Sequence, residues 1–99
     1  MSLIYKALAD PTRRRIIQLL REKEMSAGDI ADHFDLAKPT LSGHFAVLRA
    51  ADLVATEKKA TTVIYRLNVS VLEEALMALM DGFGLLKGRK AAASKGRKP

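Results

Sequence analysis

The chain has 99 residues, no cysteine and a formal net charge of +6. That length holds one domain with a modest core, and the lack of cysteine excludes disulfides, thiolate metal sites and thiol redox sensing. No apolar run approaches the roughly 20 residues needed to span a bilayer, and residues 1–6 lack a signal-peptide pattern, so a cytoplasmic protein without membrane insertion is expected.

The first segment places Leu3, Ile4, Ala7 and Leu8 on one apolar face that needs a cover. Asp10 and Pro11 then open a second helix, as an N-cap carboxylate and a proline at the first helical position. Its apolar face is Ile16, Leu19 and Leu20. Arg13, Arg14 and Arg15 sit in its first turn against the helix dipole and so require anionic partners: carboxylates such as Asp10 and Glu22 for at least one, phosphates for one or two at most.

Residues 26–53 are the most informative part of the chain. They read as two short helices joined by a tight turn and followed by a strand, the pattern of a helix-turn-helix. Ser26 caps the first, with Asp29 three residues on, and Ile30 and Phe34 share its inner face beside Ala31. Leu36 fills the turn. Pro39 stands in the first turn of the second helix, and Leu41, Phe45 and Leu48 repeat at i, i+4, i+7 as its buried stripe. Lys38, Thr40, Ser42, Gly43, His44 and Arg49 remain outward. This face has short hydrogen-bonding and basic groups and no carboxylate, which suits a DNA major groove.

Two of these residues admit a second reading. A mid-helix glycine costs about 1 kcal/mol relative to alanine, so Gly43 needs a reason: close approach to DNA or close helix packing. His44 adjoins the apolar stripe, so a half-buried structural histidine competes with contact to phosphate or base.

Residues 53–57 and 62–67 have the β-branched, alternating character of two strands, with Lys58, Lys59, Thr61 and Thr62 at the tip. A basic hairpin after a recognition helix is a wing that lies along the backbone or enters the minor groove. Lysines that merely protect a sheet edge are the competing reading. In residues 71–83, Leu72, Ala75, Leu76, Leu79 and Phe83 form one stripe, widened by Met77 and Met80 beyond what one small core needs. The two end helices are therefore expected to pack against symmetry mates, with Leu3, Ile4, Ala7, Leu72, Leu76, Leu79, Met80 and Phe83 in the dimer interface. A two-fold dimer places two recognition helices roughly 34 Å apart, one DNA turn.

The charge lies at the end. Residues 1–86 hold eleven Lys or Arg and eleven Asp or Glu; the whole excess is Lys87, Arg89, Lys90, Lys95, Arg97 and Lys98. Residues 1–86 are thus expected to be the folded domain and residues 87–99 a disordered basic tail. The tail either adds sequence-independent affinity by releasing counterions or serves only solubility, and the two readings stand level.

Together, LADPTRRRIIQLL, SAGDIADHF, LAKPTLSGHFAVLRAADLV and TVIYRLN resemble the ArsR family of bacterial winged-helix repressors over roughly residues 3–84, most closely its autorepressor, SdpR-like branch. The resemblance implies a mainly α fold with a small β-hairpin in the order α-α-α-α-β-β-α, dimerised through its N- and C-terminal helices. It further implies a homodimeric repressor on a palindromic operator of double-stranded DNA, with Lys38, Thr40, Ser42, Gly43 and His44 in the recognition helix and Lys58 and Lys59 in the wing.

Metal sensing does not carry over residue by residue. Metal-sensing members have cysteines in the first helix of the helix-turn-helix, or Asp, His and Glu ligands on the terminal helix. Here the first segment has no cysteine, and the last has Glu73, Glu74 and Asp81 without histidine. No metal and no cofactor is expected, although an inter-subunit carboxylate site that includes His33 stays open and any small-molecule effector is unidentified. Catalysis is not expected either. Ser42 and His44, two apart on a helix, do not face each other, and there is no phosphate loop or nucleophile elbow. The alternatives are a winged helix that binds a protein partner, disfavoured by the acid-free face, and a repressor switched by a small ligand.

Overall fold

The computed structural model describes residues 2–86. The chain opens with α1 (Ser2–Leu8), turns at Ala9 and enters α2 (Pro11–Glu22). Asp10 caps α2 from an extended backbone, its carboxylate accepting from the N–H of Thr12 at 2.8 Å and of Arg13 at 3.2 Å. Burial pushes that carboxyl up, but the N–H groups of Arg13 and Thr12 and the nearby Arg13 guanidinium outweigh it and hold Asp10 below the usual aspartate range.

The first-turn arginines find carbonyls rather than carboxylates. Arg13 donates to Ala7 O and Lys6 O, and Arg14 donates to Leu8 O, so both cap the negative end of α1. Arg15 turns to Gln18. Among the described residues one salt bridge occurs, Arg21 to Glu22 at 3.5 Å between exposed side chains. The expected ion pairs of the first turn with Asp10 and Glu22 are therefore absent among these residues, because α1 ends close enough to supply better acceptors.

A strand follows that the sequence reading lacks: β1 (Met25–Ser26), too short for any periodicity to reveal. Ser26 both ends β1 and caps α3 (Ala27–Ala31), its hydroxyl accepting from Asp29 N at 3.0 Å. After the turn comes α4 (Lys38–Ala50), with Leu41, Phe45 and Leu48 buried as expected. It stops in a Schellman closure, Asp52 N to Arg49 O and Leu53 N to Leu48 O, with Asp52 at φ 60°. The wing is β2 (Val54–Lys59) and β3 (Thr62–Leu67), paired antiparallel with Lys59 opposite Thr62. β1 pairs with the other edge of β3, Met25 opposite Tyr65, so the sheet has three strands in the order β1-β3-β2. Lys58 and Lys59 accordingly end a strand, and the connecting residues are Ala60 and Thr61.

The last helix is α5 (Val69–Gly82), tethered at its start by Asn68, whose amide donates to Asp52 O and whose backbone N–H donates to Leu53 O. The architecture is a winged helix-turn-helix. Its core gathers one face of every helix and the inner sheet face, with Ile16, Ile30, Leu48 and Leu53 fully enclosed. Ala7 is 0 % exposed and belongs to this core. Its expected place in a dimer interface is thereby corrected: α1 packs on α4 and α2, Ile4 is half-buried against the same core, and Leu3 stays exposed. No helix among the described residues is long and apolar enough to cross a membrane. The expected tail, residues 87–99, lies outside the described residues.

Candidate nucleic-acid interface

With its apolar stripe turned inward, α4 presents Lys38, Thr40, Ser42, Gly43, Ala46, Arg49 and Ala50 to solvent. Its N-cap is Ala37, which has no side-chain oxygen, and no acid stands in its first turn. The N–H groups of that turn are thus left to an external acceptor, beside Lys38 and the positive end of the helix dipole. A methyl built on Gly43 would meet no neighbouring atom within 4 Å. Packing inside the protomer is therefore not why this position is glycine. Ala46 and Ala50, one and two turns further on, continue the low-relief strip; alanine gave no polar signal in the sequence, and only its exposure marks it.

His44 and Arg49 are more constrained than the other candidates. His44 is half-buried, with Nδ1 3.0 Å from an Arg13 terminal nitrogen, so its inward edge is already engaged. Arg49 donates from one terminal nitrogen to the Tyr65 hydroxyl at 2.9 Å. Tyr65, buried on β3, stacks on Phe45 with ring centroids 4.6 Å apart. This pair of contacts fixes the wing against the recognition helix while leaving Arg49 exposed with donors to spare. The sequence offered Arg13 only as one of three arginines that could meet carboxylates or phosphates and did not mark Tyr65, since each acts through a partner far along the chain. Lys58, Lys59 and Thr61 are exposed on the wing.

By contrast, α5 buries little of itself. Only Ala75 is enclosed, while Val71 and Leu72 rest on the protomer's own core. Leu79 and Met80 are half-buried; Leu76, Met77 and Phe83 are exposed, Phe83 at 71 %. Ile4, Val71, Glu74, Ala75 and Ala78 line a shallow groove between α1 and α5, and Leu3 on α1 is exposed. Among the described residues no group of three or more His, Asp or Glu side chains is placed to hold a metal ion.

The sequence of residues 10–56 matches the description "Bacterial regulatory protein, arsR family". The chain is 41 % identical over 81 residues to the transcriptional repressor SdpR of Bacillus subtilis, covering 82 % of this chain and 90 % of SdpR. It is 40 % identical over 73 residues to the arsenical resistance operon repressor of Staphylococcus xylosus, 74 % of this chain and 70 % of that one. The crystal structure of a possible transcriptional regulator for arsenical resistance superposes with a TM-score of 0.71 at 36 % identity, covering 88 % of this chain and 93 % of the other.

Proposed function

The chain belongs to the ArsR family of bacterial regulatory proteins, and from that premise we propose that it is a DNA-binding transcriptional repressor that acts as a homodimer on a palindromic operator. The observation that carries the reading is the outer face of α4, which has no carboxylate, is built of small and hydrogen-bonding side chains, and has a glycine with no internal reason to be one. A helix with that relief enters the major groove deeply: Ser42 and Thr40 reach base edges or phosphates, Lys38 and the uncapped N–H groups take a phosphate, and Arg49 donates with the nitrogens not used on Tyr65. His44 contributes through the ring edge that Arg13 leaves free. Lys58, Lys59 and Thr61 carry the wing along the backbone. An enzymatic role has no support: the family and the relatives are regulatory.

Dimerisation through α1 and α5 would cover Leu3, Ile4, Leu72, Leu76, Leu79, Met80 and Phe83. The support is the amount of apolar side chain that α5 leaves exposed in a single protomer. The operator we propose lies at the protein's own promoter, by analogy with the SdpR-like branch, and the protein works in the cytoplasm, where that DNA is. Response to an arsenical or other soft metal through thiolates is not part of this reading, because the sequence has no cysteine.

The test is binding of the full-length protein to its own upstream promoter and to a scrambled duplex, across several salt concentrations, with and without residues 87–99. The reading expects a preference for the promoter that survives tail removal, while the tail deletion weakens both duplexes and flattens the salt dependence. Equal, tail-dependent binding to both duplexes would refute a promoter-specific repressor.

A further inference from the structure

Arg13 ends on three acceptors. Its Nε donates to Ala7 O at 2.9 Å, one terminal nitrogen donates to Lys6 O at 2.8 Å, and the other lies 3.0 Å from His44 Nδ1. The carbonyls belong to the last turn of α1 and the imidazole to α4, so one side chain on α2 joins the helix that carries Leu3 and Ile4 to the helix that carries Ser42 and Gly43. A guanidinium stays charged and can only donate, so His44 Nδ1 must accept. An imidazole that accepts at Nδ1 is neutral and keeps its proton on Nε2. His33 has the reverse arrangement: its Nδ1 is 3.0 Å from Asp29 O, and a carbonyl can only accept, so there Nδ1 donates. These are the only two histidines in the sequence.

We propose that Arg13 is a positioning residue for operator binding, which sets the recognition helix against α1 by donating to His44 Nδ1 and thereby holds His44 as the Nε2–H tautomer. The proposal rests on the DNA-binding reading above. Its consequence is that a shift of α1 at a dimer interface is passed to α4 through one guanidinium, with the surviving His44 donor presented in a fixed orientation. Arg14 supplies the comparison. It caps α1 in the same way, donating to Leu8 O at 2.9 Å, but its bond stays on that helix.

Two measurements on the full-length protein test this. Long-range proton–nitrogen NMR of the imidazoles should find His44 with an unprotonated Nδ1 and His33 with a protonated one. Affinity should then be measured for a duplex selected from a random pool by the wild-type protein. Arg13→Gln is expected to lose about tenfold, and much less when His44→Leu is already present, whereas Arg14→Gln lowers thermal stability but keeps the affinity. A protonated Nδ1 on His44, an Arg13→Gln protein that binds as wild type, an equal loss in both backgrounds, or an equal loss from Arg14→Gln would each overturn the proposal. Failure of the wild-type protein to enrich any duplex would overturn the DNA-binding reading itself, and this proposal with it.

Discussion

Gly43 separates stability from function at the scale of one residue. Because a methyl there meets nothing, Gly43→Ala should stabilise the fold by about 1 kcal/mol through helix propensity alone. The same methyl would stand between α4 and the groove floor, so operator affinity should fall while thermal stability rises. Unchanged affinity in the more stable variant would show that Gly43 is not in the contact. Asp10 is the opposite kind of residue, a pure anchor. Asp10→Ala should cost about 1 kcal/mol by removing the cap from Thr12 and Arg13. Since its folded carboxyl is held below the usual range, the ionised cap stabilises above the ordinary aspartate value, about pH 3.9, and that stability is lost as pH falls through the folded value. The gap in unfolding free energy between wild type and Asp10→Ala should therefore be constant near neutrality and narrow in acid; a gap that stays unchanged down to strong acid would contradict the ionised cap.

Elements bring side chains together that the sequence keeps apart. The wing illustrates how. β2 and β3 are joined by Ala60 and Thr61 alone, and Ala60 sits at φ 55°, where a Cβ is penalised. Ala60→Gly should raise wing stability by about 0.5–1 kcal/mol, seen as a higher midpoint in urea and slower amide exchange across the hairpin. A lower midpoint would mean that the added backbone freedom of glycine outweighs the strain. The strand periodicity was readable from residues 54–67, but the two-residue turn was not: the sequence pattern ends the first strand at Glu57 and puts Lys58 and Lys59 at the tip, whereas both pair with β3. Strand β1 was not readable either, because two residues carry no period and Met25 and Ser26 became a strand only by meeting Tyr65 and Ile64. The recognition helix was the clearest element in the sequence, since Leu41, Phe45 and Leu48 define its inner face and thereby its outer one. Which of its polar residues are free was not readable, because Arg13 and Tyr65 claim His44 and Arg49 from distant positions.

In the whole molecule, α5 presents an apolar stripe left largely uncovered by the described residues of its own chain. A stripe with only Ala75 enclosed and Phe83 largely in solvent is poorly suited to a free chain, and the dimer we propose would supply the missing burial. Replacing Leu76 and Phe83 together by Glu should leave the core intact, convert the protein to a monomer in sedimentation, and reduce operator affinity by at least about tenfold through loss of the second half-site. A variant that still sediments as a dimer would place the interface elsewhere. Local patterning was enough to establish the helix caps, the buried stripes, the hairpin and the family likeness, because capping, periodicity and turn chemistry act over a few neighbouring residues. Tertiary structure alone decided that Ala7 belongs to the core, that Arg13 and Arg14 serve the carbonyls of α1, and that the recognition helix is tied to both α1 and the wing. Those outcomes depend on where the end of one element falls beside the middle of another, a distance that no local pattern encodes.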